Sequence, residues 1–498
     1  MPNTFFMKPW FRNTVLYFAT AAALPAFSQV KISGKLPPAT ASSLLLTMPG
    51  QEPLKVPADN NGRFAVTTGQ IPRGIYQLGA IGPVYLEPGY ALEIVPDGDD
   101  FRFKGKGSTE NNLIRAAASE LKKYVPMYKG DYLYSFYQVS LPEFRQKMAA
   151  WQQAAANILS KSDNAYFREL ENTAVMFRVK NIAQDWWLNY GVDSVKRIAF
   201  QKMLEAPKEL NDTTLHVRLR KAFNDMRTKT LTRQERSEID SFSFHGWSMN
   251  NDDWFRNLAS YREALDSRIT NIMYAGYQQE MNAGQPQEMI KLTIITKEIT
   301  SPFIREYYQY QQTANILKMS DDPEEVDSLY KNFMAKVTND VYRKSINEVY
   351  DNLKKFGDNQ PAPDFEFENV HGAKVKLSSL KGKYVYIDVW ATWCGPCKRE
   401  IPFLTNMEAS YAGKNIHFVS LSVDRQADKE KWQAFVKDNQ LKGEQLITDN
   451  DFNVDFIKKF NINAIPRFIL IGPDGKIVSA NAKRPSDPEL QQQLNGLL

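Results

Sequence analysis

Cys394 and Cys397 are the only two cysteines of the chain. They stand three positions apart in Trp393-Cys394-Gly395-Pro396-Cys397-Lys398, directly after an apolar run that reads as a buried strand and at the start of a helical pattern. That placement gives the pair a redox chemistry. Free backbone N–H groups in the first turn of a helix, together with its dipole, stabilise a thiolate at Cys394 and lower its pKa from about 8.5 into the range of roughly 3.5 to 7.5. Cys394 is therefore the expected attacking sulfur. Cys397, about one helical turn further on, can reach the same sulfur and close or open a disulfide without backbone rearrangement, which makes it the resolving and more buried thiol.

Asp388 lies six residues before Cys394 in the otherwise apolar run Tyr384 to Val389. Burial raises its pKa toward the neutral form that proton exchange with Cys397 needs, although a buried acid can also be merely structural. A Cys-x-x-Cys pair can supply half of a zinc site, but His216, His245, His371 and His417 are scattered without metal-ligand spacing, and no metal is expected. Asp449, Asp451, Asn453 and Asp455 echo a calcium loop. Val454 stands where that loop requires Gly, however, and Phe460 where it requires a bidentate Glu, so a capped helix start is expected there instead.

Holding two cysteines in this way takes a strand before them, a helix after them and a sheet around both. The last part of the chain, 364–498, has that alternation of strand and helix patterns and reads as an α/β domain. Tyr384 to Val389 and Ile416 to Val423 are strands, and Phe468 to Gly472 and Lys476 to Ser479 flank a Gly-Pro-Asp-Gly turn. Gly357 to Pro363 (GDNQPAP) breaks helix and reads as a linker. Before it, 108–356 has a period of 3.6 with little glycine and is expected to be mainly α-helical. Helices should start at Ser140-Leu141-Pro142-Glu143, a capping box with Pro in the first turn, and at Asp322-Pro323-Glu324-Glu325. Val341, Tyr342, Ile346, Val349, Tyr350 and Leu353 share a helix face that ends near Gly357. Trp186, Trp187, Trp247, Trp254, Tyr307 and Tyr308 read as core aromatics and not as a ligand groove. From 29 to 107, short apolar or alternating runs punctuated by turns predict an all-β, sandwich-like domain, with a hairpin pairing Ala91 to Val95 with Phe101 to Lys104.

Lys8 and Arg12 precede a largely apolar run from Val15 to Ala26, and Ala26-Phe27-Ser28 has the small residues of a cleavage site, so 1–28 reads as a secretory signal peptide cut before Gln29. The expected location is the periplasm, an oxidising space where two thiols stay reduced only with help. The chain is long enough for about three domains. Its 62 Lys and Arg against 57 Asp and Glu leave a charge of only +5, too little to make nucleic acid a main partner.

The run Asp388-Val389-Trp390-Ala391-Thr392-Trp393-Cys394-Gly395-Pro396-Cys397-Lys398 resembles the active site of thioredoxins. Pro363-Asp364-Phe365, Leu380-Lys381-Gly382-Lys383, Glu400-Ile401-Pro402 and the late Gly-Pro-Asp-Gly hairpin are similar to the TlpA/ResA-type branch of envelope thiol-disulfide oxidoreductases. The resemblance implies a catalytic Asp388 and Glu400, a kink at Pro402, and a cis peptide at Ile465-Pro466 beside the sulfurs. It also implies a substrate groove bordered by Trp393, Gly395, Pro396, Ile465, Pro466 and Arg467. Arg467 departs from the threonine often found after that proline and is expected to stabilise the thiolate or to face solvent. Sixty-nine positions separate Cys397 from Pro466, more than in a minimal thioredoxin, which implies an inserted strand and helix near Gln445 to Phe460. The segment with VYLEPG and GKGSTENN is similar to the uncharacterised β-rich domain that precedes thioredoxin domains in many Gram-negative envelope proteins.

The implied activity is disulfide reduction on envelope proteins, with electrons from a membrane thiol carrier and no cofactor beyond the cysteine pair. Peroxiredoxins share the fold but need Thr or Ser three residues before their cysteine and Pro seven before, where this chain has Ala391 and Ile387. A binding or assembly protein with an accessory redox domain is the other alternative.

Overall fold

The computed structural model describes residues 29–36, 43–59, 61–69, 71–98, 100–125, 135–205, 215–319 and 323–498. The expected signal peptide and the cap residue Asp322 lie outside the described residues. Contacts divide the chain into two compact units, one running to Thr47 and joined by Pro53–Asn112, the other made of Met48–Glu52 and Leu113–Leu498.

The first unit contains β1 (Val30–Lys35), β2 (Ser43–Thr47), β3 (Leu54–Pro57), β4 (Arg63–Thr68), β5 (Gly74–Leu78), β6 (Gly82–Leu86), β7 (Ala91–Asp97) and β8 (Asp100–Lys106). They form two four-stranded sheets, ordered β4-β1-β7-β8 and β3-β2-β5-β6. Period-two patterning gives each sheet an apolar face: in β7, Leu92 and Ile94 are buried while Ala91 and Glu93 are exposed. The expected hairpin forms in register from Ala91 opposite Lys106 to Asp97 opposite Asp100. Gly107 ends it with φ +96°, and a Cβ there would meet the Tyr90 ring at 2.1 Å, so only glycine fits.

The helices follow as α1 (Ser108–Glu120), α2 (Leu141–Leu159), α3 (Ala165–Asn189), α4 (Ser194–Glu205), α5 (Leu215–Asp225), α6 (Arg233–Phe244), α7 (Asp252–Asn257), α8 (Ala259–Gly276), α9 (Gln278–Asn282), α10 (Gln287–Glu298), α11 (Pro302–Met319), α12 (Pro323–Lys336) and α13 (Asp340–Lys355). Ser140 caps α2, its Oγ accepting from the Glu143 N–H, but the Glu143 side chain pairs with Lys147 where a full capping box would turn it back. The complete box stands at Thr232 and Glu235, at the head of α6. The aromatic residues build core. Phe177 receives Trp247, Trp254 and Tyr261 edge-on with ring centroids 5.3, 5.5 and 5.0 Å away, and Trp186 and Tyr308 are buried.

The same unit continues as β9 (Glu366–Asn369), β10 (Lys374–Lys376), β11 (Tyr384–Trp390), α14 (Gly395–Ser410), β12 (Ile416–Ser422), α15 (Lys429–Asp438), β13 (Glu444–Ile447), α16 (Asp455–Lys459), β14 (Arg467–Ile471), β15 (Ile477–Ser479) and α17 (Pro488–Leu497). The seven strands order as β10-β9-β13-β12-β11-β14-β15. β11 lies inside the sheet, parallel to β12 and antiparallel to β14. Being covered on both faces, it reads as a continuous apolar run and not as an alternation. Ile387, Val389, Leu421 and Ile469 pack with Trp432 of α15 on one face, while Tyr386, Phe418 and Phe468 pack with Leu404 of α14 and Leu490 of α17 on the other.

Residues 357–363 run between α13 and β9 and are tied to a sheet edge: the Asn359 N–H donates to Ile477 O at 2.7 Å, the Ile477 N–H to Gln360 O at 2.8 Å and the Ala362 N–H to Gly475 O at 3.0 Å. Gly and Pro mark irregular backbone, and irregular backbone can still be tied to a sheet edge. In place of the capped helix start expected near Asp455, the helix forms with Val454 as its N-cap, whose side chain has no acceptor, so no side chain caps it.

Ile387 is fully buried in β11. Ile387→Ala is expected to lower unfolding free energy by about 2–5 kcal/mol, seen as an earlier urea midpoint in tryptophan fluorescence. A loss below about 1 kcal/mol would mean that neighbouring side chains close the gap.

Candidate active site

The loop between β11 and α14 is held by a buried carboxylate. Asp424, fully buried after β12, accepts from the Thr392 N–H and the Thr392 Oγ1–H at 2.8 Å each and from the Ser422 Oγ–H at 2.7 Å. Three donors satisfy the group and fix Thr392 two residues before the first cysteine. The Cys394 N–H then turns back to the Ala391 carbonyl at 3.0 Å, and Cys394 becomes the N-cap of α14. Its Sγ accepts the Cys397 N–H at 3.1 Å, the contact that a thiolate at this position needs. Cys394 and Cys397 are joined as a disulfide with Cα atoms 5.3 Å apart. Both are buried, whereas Trp393 is 56% exposed and Pro396 is exposed beside it. The Ile465 carbonyl oxygen approaches to 3.8 Å from Cys394 Sγ, and the Ile465–Pro466 peptide is cis. Contacts thus bring Cys394, Cys397 and Ile465 together, with Pro466 next in the chain and Gly395 and Pro396 in the turn between the cysteines.

Asp388 is buried in β11 opposite Ser420, and its Oδ1 has no hydrogen-bond partner. Burial, reinforced by the negative charges of Glu400 and Glu408, pushes its pKa up to about 8. It shares a narrow cleft under α14 with Ile401, one turn beyond Cys397, and with Glu408, Lys442 and Gln445. Glu408 is a residue that sequence reading missed. Burial raises its pKa to about 7 against the opposing pull of Lys442. Gly443, with φ +63°, makes room for it, since a Cβ there would lie 2.6 Å from Glu408 Oε1. No local motif signals this, because an acid late in a helix usually faces solvent.

Glu400 is buried, and both of its oxygens are taken by one residue: Oε2 accepts from the Ser486 N–H and Oε1 from the Ser486 Oγ–H, each at 3.0 Å. Ser486, 86 positions away, could not be foreseen from spacing. Arg467 is half-buried and donates to backbone carbonyls. Its Nε and Nη2 donate to the Ala480 carbonyl at 3.2 and 2.9 Å, and its Nη1 donates to the Lys318 carbonyl of α11 at 3.0 Å. Among the described residues no group of three or more His, Cys, Asp and Glu is placed to hold a metal ion.

Folded Asp388 keeps its proton up to about pH 8, whereas the unfolded group releases it near 3.8. The folded state therefore binds more protons between those limits, and stability falls as pH rises through that window. Asp388→Asn cannot ionise, so it should be more stable than the parent at pH 8 by up to ~5 kcal/mol, with the gain gone below about pH 4. Urea denaturation at pH 4, 6 and 8 measures this. Equal stability at pH 8 would mean that the carboxyl is hydrated in the folded protein.

Residues 357–494 match the Redoxin family. Among curated proteins, the thiol-disulfide oxidoreductase ResA of Bacillus anthracis is 31% identical over 137 residues, which cover 28% of this chain and 74% of that one. The ResA of Bacillus subtilis (strain 168) is 27% identical over 149 residues, covering 30% of this chain and 80% of that one. A solved thiol-disulfide oxidoreductase from Bacteroides fragilis NCTC 9343 is 27% identical and is covered in full by 28% of this chain, with a TM-score of 0.26. The chain belongs to the ResA-type thiol-disulfide oxidoreductases of the thioredoxin superfamily and is an enzyme of thiol–disulfide exchange.

Proposed function

We propose that this enzyme reduces disulfides of envelope proteins in the periplasm, with Cys394 as nucleophile and Cys397 as resolving thiol. The observation that carries the assignment of roles is the Cys397 N–H on Cys394 Sγ, which favours charge on the first sulfur only. The Cys394 thiolate attacks a substrate disulfide, forming a mixed disulfide and releasing one substrate thiolate, which takes up a proton. In the fraction of molecules whose Asp388 is ionised, Cys397 gives its proton to that carboxylate and attacks Cys394. The Cys394–Cys397 disulfide forms, the second substrate thiolate leaves, and two electrons have passed to the substrate. Asp388 suits this task because its proton affinity lies near neutrality. Glu400, with both oxygens held by Ser486, acts through its charge on Asp388. Pro466, Ile465, Trp393, Gly395 and Pro396 border the substrate groove, and the cysteine pair needs no cofactor.

Direction follows from the Gly395-Pro396 dipeptide, which matches reducing thioredoxins with potentials near about −270 mV, whereas strong oxidants of the fold lie near about −120 mV. At about 30 mV per factor of ten, that gap is roughly five orders of magnitude in equilibrium constant. With only two cysteines the chain holds no second dithiol, so a separate membrane thiol carrier must re-reduce it. The periplasmic assignment rests on the basic and apolar pattern of 1–28, and no helix among the described residues is long and apolar enough to cross a membrane.

Cys397→Ser should trap substrate proteins as mixed disulfides on Cys394, and Cys394→Ser should abolish exchange, both visible on non-reducing gels; trapping by the Cys394 variant would reverse the roles. A glutathione redox titration should place the potential near about −270 mV, and a value above about −150 mV would favour an oxidase. N-terminal sequencing of the exported protein should read from Gln29, and an initiator Met would mean that the leader is retained as an anchor.

A further inference from the structure

Among the described residues ten large apolar side chains are exposed, and five of them fall between 188 and 223. Leu188 ends α3, Val195 (73% exposed) and Ile198 lie on α4, and Val217 (57%) and Phe223 lie on α5. Val195 and Ile198, three positions apart, share one exposed face of α4, and exposed apolar groups brought together in this way mark a surface for a partner. The two helices pack on each other, with the Phe200 and Phe223 rings 5.9 Å apart, so Phe223 belongs to that contact while Leu188, Val195, Ile198 and Val217 are left over from it.

Charge narrows what covers them. α4 and α5 carry Lys196, Arg197, Lys202, Arg218, Arg220 and Lys221 against Glu205 and Asp225, an excess of four in a chain whose whole excess is five. A partner must therefore be acidic as well as apolar. Position narrows it further. α4 packs beside α14, the helix headed by the disulfide. α14 has 16 residues, about 24 Å of helix, so its contact with α4 lies within that distance of Cys394. At a second place, beside Pro466, Arg467 ties the redox domain to the end of α11. The helical region thus borders the redox centre.

We infer that the paired helices α4 and α5 are the docking surface for the protein substrate and select polypeptides whose disulfide is flanked by an acidic, apolar segment. This rests on the reductase reading above. A polypeptide can occupy these two helices and present a disulfide to Cys394 at once, whereas a lipid headgroup offers the cysteines no bond to exchange. Apolar contact supplies residence and the basic rim supplies steering.

The test uses the reduced full chain and three probes: a disulfide-bonded peptide with Glu- and Leu-rich flanks, the same peptide with Ser and Gly flanks, and hydroxyethyl disulfide. The acidic peptide should react about tenfold faster than the neutral one, an advantage that shrinks with added salt. That advantage should fall below about twofold in Lys202→Glu/Arg220→Glu/Lys221→Glu and, separately, in Val195→Ser/Ile198→Ser/Val217→Ser, while the hydroxyethyl disulfide rate stays at the parent value in both. No preference in the parent, or a preference kept by both variants, overturns the proposal. So does loss of binding to phosphatidylglycerol-containing vesicles in the variants with peptide rates unchanged, which would make the surface a lipid contact. Failure of the parent to reduce hydroxyethyl disulfide would overturn the reductase reading itself, and the docking surface with it.

Discussion

A single backbone N–H, that of Cys397, points at the sulfur of Cys394 from 3.1 Å, and the redox domain of the molecule is arranged around that contact. It exists because α14 begins at Gly395, leaving the first-turn amides without carbonyl partners. A start one residue earlier or later would aim those amides elsewhere. The start is held by what precedes it: β11 runs buried between two neighbours, and Asp424 fixes Thr392 with two hydrogen bonds. A strand of that kind tolerates little movement, since it is packed on both faces.

The same compact surroundings treat two acidic groups in opposite ways. At the head of α14 the backbone offers donors to a developing negative charge, so a thiolate is favoured. A few residues away, Asp388 Oδ1 finds no donor and feels two other carboxyls, so the charged form is disfavoured and the proton stays. A site that must give and take protons near neutral pH needs both environments side by side. Glu408 lines the cleft that Asp388 opens into, and its negative charge adds to burial in holding the Asp388 proton.

The helical region belongs to the same compact unit as the redox fold. Asn461 donates to the Val349 carbonyl of α13 at 3.2 Å, Asn352 donates to Asn461 Oδ1 at 3.3 Å, and Arg467 reaches the Lys318 carbonyl. These are polar contacts to backbone and amide groups, each modest by itself, and together with the strand-like pairing of 359–362 on β15 they fix the register between helices and sheet.

What the sequence determined by itself is whatever follows from local spacing: two thiols one helical turn apart, an apolar run long enough for a strand, an acid within it, and the change of period that separates helices from sheets. These survive because backbone geometry repeats over a few residues. Only the tertiary structure decided that both oxygens of Glu400 go to Ser486, that Arg467 serves carbonyls at Ala480 and Lys318, that Glu408 shares a cleft with Asp388, and that a Pro-rich stretch pairs with a strand. Those contacts join positions as far as 149 apart in the chain. No periodicity encodes which distant group a side chain meets, because that depends on the path of the whole chain and on which buried polar atoms still lack a partner when it closes.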